Sequence, residues 1–262
     1  MAREFTMDRR AYLATIGTGT AAGLAGCTGL TGGGGGNTIR PGTAPGFQPF
    51  EFREGGELVG FDIDLTTAIV GETDYELGEW QTFEFDSLIQ ALTTDKIDMI
   101  AAAMTITEDR DETIDFSDPY YSANQSVIVR EDGDFSPSSH DDLSGHPIGA
   151  QSGTTGETVV QSQLVEKGKL EESNYNSYDN YVLAVEDLQN GNIDAVVVDE
   201  PVGNTFADQR PVTVAFVYDT GEQYGFGLRT DDDDRTDAVN SGLQAVRDNG
   251  TYEELRNKWF SG

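Results

Sequence analysis

Basic residues, histidine, cysteine and long apolar runs are all scarce in this chain, and each shortage removes a class of function. Lys and Arg number 16 against 47 Asp and Glu, a net charge of −31 over 262 residues, so neither nucleic acid nor an anionic membrane surface is an expected partner. A single cysteine, Cys27, excludes an intramolecular disulfide. The two histidines, His140 and His146, both fall in the polar stretch "SSHDDLSGHP". No metal-ligand cluster and no nucleophile beside a base stands out, so no metal, no cofactor and no catalysis are expected. The weakly apolar run from Ala11 to Ala25 falls short of the ~20 residues a membrane-spanning helix needs.

What remains suits a folded, acidic, secreted protein. A hydrophobic content of 37% can fill the core of one domain or two modest ones. The acid is spread along the whole chain and interleaved with periodic apolar segments, unlike a disordered acidic tail. The pattern resembles proteins of extreme halophiles, where molar salt cuts the Debye length to roughly 3 Å and surface carboxylates serve solubility.

The first residues read as a targeting segment. Arg9 and Arg10 precede the apolar run, which ends in "LAGC", Leu24 to Cys27. The pair resembles a twin-arginine export signal, and "LAGC" resembles a lipobox, in which Cys27 becomes the lipidated first residue. Met7 offers an alternative start with a tighter signal. Residues 1–27 are therefore expected to be a lipoprotein signal and 28–36 a glycine-rich tether.

Beyond the tether, amphipathic helices alternate with short apolar strands, the order of an α/β fold. "GFDIDLTTAIV" has helical apolar spacing with Asp62 as a possible cap, and "DSLIQALTT" repeats the pattern with Asp86. "KIDMIAAAM" suggests a strand from Met99 to Met104 buried on both faces. An echo relates the halves: helix, turn and "Ile-Asp" strand recur at "DKIDMIAA" and "GNIDAVVV", where Leu183, Val185 and Leu188 mark the second helix. In such sheets ligands gather where strands end and helices begin. Ala103, Thr105 and Arg110 follow the first echo strand, with Thr107 placed to cap a helix, and Asp199 follows the second. Between them the small-residue loop from Gln151 to Gly156 precedes another helix. Arg110 is the one cation among Glu108, Asp109, Asp111, Glu112, Asp115 and Asp118, either part of a solvated face or aimed into a cleft. "TDDDDR" lacks the pattern of a calcium loop and reads as solvated.

The segments "GTAPGFQPFEFREGGELVGFDIDL", "FDSLIQALTTDKIDMIAAAMTITEDRDETIDFSDPYY", "GAQSGTTGE", "GNIDAVVVDEP", "YGFGLR" and "NGTYEELRNKWF" together resemble the polar amino-acid-binding proteins of ABC importers. The resemblance runs from Asn37 to Gly262. It implies a type II periplasmic-binding-protein fold, a two-lobed Venus flytrap with two hinge strands: lobe one 37–122 plus 223–262, lobe two 123–222. It also implies a monomer at the extracellular face of the membrane, lipid-anchored, that captures a free amino acid and delivers it to a permease driven by ATPase subunits.

Residue by residue, the resemblance implies that Arg110 holds the ligand α-carboxylate, with Thr105, Thr154 and Thr155 adding hydroxyl contacts. Ala103 offers its carbonyl, Asp199 pairs with the α-ammonium, and Phe47 and Phe85 sandwich the side chain. The chain departs from the pattern at Ala44, where many members carry an aspartate for the ligand's distal group. With uncharged Gln151 as the candidate distal contact, glutamine or another neutral polar amino acid is the expected ligand. The alternatives are an enzyme on this fold resembling a small dehydratase, or the ligand-sensing lobe of a receptor.

Overall fold

The computed structural model describes residues 37–260. The segments expected to be an export signal ending at Cys27 and a tether lie outside the described residues. The order begins β1 (Thr38–Ile39), β2 (Pro41–Thr43), a β3 (Phe52–Glu54) and β4 (Glu57–Val59) hairpin, α1 (Phe61–Gly71), β5 (Glu76–Leu77), β6 (Gln81–Thr82) and α2 (Leu88–Thr93). It continues through β7 (Met99–Ile100), α3 (Glu108–Asp111), β8 (Asp115–Phe116), β9 (Tyr121–Arg130), β10 (Ile148–Gln151), α4 (Thr155–Val160), β11 (Tyr175–Tyr178) and α5 (Tyr181–Asn190). It ends with β12 (Ala195–Asp199), α6 (Glu200–Gln209), β13 (Val212–Tyr224), β14 (Gly227–Leu228), α7 (Asp233–Asp248) and α8 (Thr251–Phe260).

Two five-stranded mixed sheets define the two lobes. The first has the order β6-β2-β7-β14-β8 and the second β11-β10-β12-β9-β13. In each, three parallel neighbours (β6, β2, β7 and β11, β10, β12) point their carboxyl ends the same way, and antiparallel strands complete the sheet. The long pair β9 and β13 joins the sheets: Tyr121 pairs with Tyr224 at one end and Arg130 with Val212 at the other. Between Tyr218 and Glu222 the register slips, an irregularity that bends a strand without breaking its pairing.

The apolar periodicity accounts for the layers. Leu65, Ile69 and Val70 of α1 pack with Met99 and Ala101 on one side of the first sheet and with Val239, Leu243 and Val246 of α7. Leu88, Ala91 and Leu92 of α2 pack on its other side with Ile100, Ala102 and Ile114. Asp98, 4% exposed, is clamped by Arg40 at 2.7 Å and Arg229 at 3.0 Å, tying the entry of β7 to the exits of β1 and β14. Burial alone would raise its carboxyl, but the two guanidinium groups outweigh that and hold it at about 2.

Several sequence expectations are corrected. Asp62 does not cap α1: it is buried within the first turn, where Oδ2 accepts from the Ala103 amide at 2.7 Å and the Tyr120 hydroxyl at 2.6 Å. Asp86 does not cap α2 but accepts from Ser152 of the second sheet at 3.1 Å. The strand expected over Met99–Met104 is only two residues long, and past its end Ala103 takes a left-handed φ of 45°, incompatible with continued extended backbone. Leu183 is 43% exposed, and α5 instead buries Tyr181, Ala184, Val185 and Leu188. "TDDDDR" is solvated as expected at Asp231, Asp233 and Asp234, but only its first half is loop: Asp233 and Asp234 form the first turn of α7, and Asp232 accepts from Arg229 at 3.2 Å.

Candidate functional site

The sequence-predicted residues meet because they follow the carboxyl ends of strands. After β2 comes Phe47, after β7 come Ala103 and Thr105, after β10 comes Thr154, and Asp199 ends β12. Phe47, Phe85, Ala103, Thr105, Arg110, Gln151, Thr154, Thr155 and Asp199 all line one enclosed cavity, together with Ala44, Glu51 and Ala102.

Arg110 reaches the cavity from α3, where the Thr107 hydroxyl accepts from its amide at 3.3 Å as an N-cap. Its acidic neighbours Glu108, Asp109, Asp111 and Glu112 are exposed, while its guanidinium turns inward. Nη1 donates to the Thr105 carbonyl at 2.6 Å and Nη2 to the Gly153 carbonyl in the second sheet's loop at 2.8 Å. The Phe85 ring lies 5.4 Å from the guanidinium carbon. Burial lowers the Arg110 pKa, opposed by the charges of Asp199 and Glu222. A guanidinium has five donors, so Arg110 keeps donors for a carboxylate.

Asp199 is 4% exposed and accepts from the Tyr224 hydroxyl at 2.6 Å. Burial and the nearby Glu222 charge push its carboxyl up to about 7, against the Tyr224 and Gln125 hydrogen bonds. The small-residue loop is fixed by its own side chains. Thr154 caps α4 by accepting from the Glu157 amide at 3.3 Å, donates to the Gln151 carbonyl at 2.7 Å and shares a bond with the Tyr181 hydroxyl at 3.1 Å. Gln151 spends its amide nitrogen on the Asp179 carbonyl at 3.1 Å. Thr155 donates across the cleft to Thr105 at 3.1 Å, and Gly153, at φ +74°, lies so close to Asp86 that an added Cβ would sit 3.0 Å from the Asp86 Cβ. The two lobes are therefore in direct contact around the cavity.

Sequence reasoning missed three contributors. Glu51 is 1% exposed, lines the cavity, and its Oε2 has no hydrogen-bonding partner. Glu222, 5% exposed on β13, accepts from Thr105 at 2.7 Å and Gln125 at 3.0 Å. Tyr181 is fully buried and packs against Phe47 with ring centroids 5.6 Å apart. Among 47 acids neither glutamate stands out by type. The usable signal was context, since Glu51 sits between aromatic residues in "PFEF". Among the described residues no group of three or more His, Cys, Asp or Glu is arranged to hold a metal ion.

Residues 39–262 match the family described as bacterial extracellular solute-binding proteins, family 3. The chain belongs to that family. Relatives of this solute-binding protein include a probable histidine-binding protein of Campylobacter jejuni, 33% identical over 225 residues, covering 85% of this chain and 84% of its own. An ancestral arginine-binding protein bound to arginine superimposes with a TM-score of 0.80 and 36% identity, over 86% of this chain and 98% of its own. Bound to glutamine, it gives 0.79 and 36%, over 86% and 99%. An ancestral amino acid-binding protein described as a precursor of cyclohexadienyl dehydratase gives 0.78 and 34%, over 86% and 96%. The two-lobed α/β architecture of the solute-binding protein is thus shared along nearly the whole length of these structures.

Proposed function

We propose that the chain is the extracellular substrate-binding component of an ABC importer, holding one free amino acid between lobes 37–122 plus 223–262 and 123–222. One observation carries this reading: the Arg110 guanidinium and the Asp199 carboxylate, supplied by different sheets, line the same cavity. They match the α-carboxylate and α-ammonium common to every amino acid, and a planar guanidinium suits a carboxylate bidentately.

The side chain we assign differs from the sequence expectation. Ala44 brings no carboxylate to the cavity, but Glu51 does, buried and with Oε2 unpartnered. A cationic side chain offers that oxygen both charge and N–H donors, so arginine or histidine comes ahead of glutamine, with Phe47 and Phe85 as apolar flanks. The relatives named for histidine and arginine binding support the same order. The reading is of capture without turnover. Calorimetric titration of the purified chain in molar salt against the twenty amino acids tests it: saturable binding of unaltered ligand is expected. Binding of none overturns it, and recovery of a changed ligand favours the dehydratase-like alternative.

Closure follows from linkage, since a ligand bridging Arg110 and Asp199 stabilises the arrangement in which both face it. The Ser152–Asp86, Thr155–Thr105 and Arg110–Gly153 hydrogen bonds would be remade at each closing. Small-angle scattering is expected to give a smaller radius of gyration at ligand saturation than without ligand. An unchanged radius would count against a hinged receptor.

Export by the twin-arginine segment and anchoring through a lipid on Cys27 complete the reading, with a monomer delivering ligand to permease and ATPase subunits in a high-salt exterior. Cys27→Ser is expected to release the protein from the cell surface or leave an unprocessed precursor, seen by fractionation. Equal membrane association of variant and parent would sink the anchor.

A further inference from the structure

Two buried carboxylates, Glu51 and Asp199, line the cavity with one guanidinium, and two more, Asp62 and Glu222, are buried behind its walls. Glu51, Asp62, Asp199 and Glu222 are all at most 5% exposed, and Arg110 is the cation among the cavity residues. Three of the four have donors: Asp62 takes the Ala103 amide and Tyr120 hydroxyl, Asp199 the Tyr224 hydroxyl, and Glu222 the Thr105, Gln125 and Thr220 side chains. Asp62 Oδ1 and Glu51 Oε2 are both buried and unpartnered, but Asp62 has two donors on its other oxygen, whereas Glu51 lines the cavity and its charged neighbours Asp62 and Asp199 are carboxylates. Arg110, on the same cavity, already serves the Thr105 and Gly153 carbonyls. An ionised carboxylate in that position lacks compensation, and a protonated one does not need it.

We propose that Glu51 carries a proton in the ligand-free protein, that a cationic ligand side chain displaces this proton, and that a neutral polar side chain is taken with the proton in place. The proposal rests on the amino-acid-binding reading and makes ligand choice a function of pH. With arginine, the Glu51 O–H bond ionises, the proton passes to the buffer, and a guanidinium N–H donates to the carboxylate left behind. With glutamine, the O–H is kept and donates to the side-chain amide carbonyl. One pocket thereby serves two side-chain charges, whereas a permanently ionised glutamate would oppose the neutral ligand.

The sign follows from linkage. Burial first, then the Asp62 and Asp199 charges, raise the Glu51 carboxyl well above the ordinary range, and a bound guanidinium lowers it again. Arginine affinity therefore rises with pH until Glu51 ionises in the free protein. Asp199, near 7 before binding, also gives up its proton to the buffer when a ligand ammonium binds beside it. That release is common to both ligands and cancels in their ratio. Asp62, near 6 through burial, is not among the cavity-lining residues, and neither ligand is required to disturb its two hydrogen bonds.

The test is calorimetry of the full chain with arginine and with glutamine at about pH 5, 6 and 7, in two buffers of different ionisation enthalpy. Arginine is expected to release close to one proton more than glutamine, and the arginine-to-glutamine affinity ratio to rise about tenfold per pH unit. In Glu51→Gln, which cannot ionise, arginine affinity is expected to fall further than glutamine affinity. The extra proton and the pH dependence of the ratio should vanish. Equal proton release for both ligands in the parent, or a surplus that persists in Glu51→Gln, overturns the proposal. Failure of both amino acids to bind the parent overturns the binding reading itself and the proposal with it.

Discussion

Arg110→Ala is expected to weaken amino-acid binding roughly thirtyfold or more, the effect of removing one member of a buried charge-assisted pair, commonly on the order of 2–5 kcal/mol. The guanidinium lies in the cavity, bonded at 2.6 Å and 2.8 Å to carbonyls from the two lobes, so its loss removes both the proposed ligand contact and a cross-cleft bond. Arg110→Lys keeps the charge without the fork and should fall between parent and alanine. Glu108→Ala and Glu112→Ala, at exposed positions on the same segment, should leave affinity nearly unchanged and stability within about 0.5 kcal/mol. Melting each variant without ligand separates a lost contact from a lost fold. Normal binding by Arg110→Ala, beside impaired binding by Glu108→Ala, would return the segment to a solvated helix face.

Gly60→Ala is expected to destabilise the fold by more than about 3 kcal/mol, a large share of the ~5–15 kcal/mol that holds a typical domain together. Gly60 has φ 138°, a region that side-chain-bearing residues rarely enter, and an added Cβ would sit 2.0 Å from the Phe50 carbonyl oxygen. Neither partner can yield, since both are backbone. The close approach holds the Phe50–Glu51 segment against the start of α1, where the Asp62 amide donates to that same Phe50 carbonyl at 2.9 Å. Gly55→Ala is the control: φ is also positive, at 60°, but nothing lies within 4 Å of the added Cβ. It should cost on the order of 1 kcal/mol, from backbone conformation alone. Denaturant unfolding of both variants decides, and equal losses would show that strain, not contact, sets the requirement at Gly60.

The sequence reading was strongest where a residue's role depends on its own strand. Asp199 and Thr105 follow apolar runs, and the rule that ligands gather at strand ends brought them into one expectation before any geometry was known. Thr107 was legible as a cap because an N-cap is a local matter of a few residues. Asp62 was misread for the complementary reason. Its position at a helix start is what a capping residue has, but its partners, Ala103 and Tyr120, lie 41 and 58 residues away. Glu51 and Glu222 were lost in a chain with 47 acids, where only burial distinguishes a carboxylate at the cavity from one that serves solubility. Leu183, one of the three residues that marked the second echo helix, is left in water by the fold, so spacing located the helix without fixing which side it buries.

The strand order also bears on the sequence of events as the chain is made. β14, only two residues long at Gly227–Leu228, lies between β7 and β8, so the first sheet has a gap beside its central strand until the ribosome has passed residue 228. The strands of the second sheet, by contrast, all come from the continuous stretch Tyr121 to Tyr224 and are complete before β14 exists. Ile100 and Ile114, fully buried in the finished protein, must wait beside that gap while the chain is extended as far as β14. The lobe begun first is thus the lobe finished last, and a chain cut short before β14 would carry every one of the cavity's residues with no closed sheet to hold the eight of twelve that the first lobe supplies.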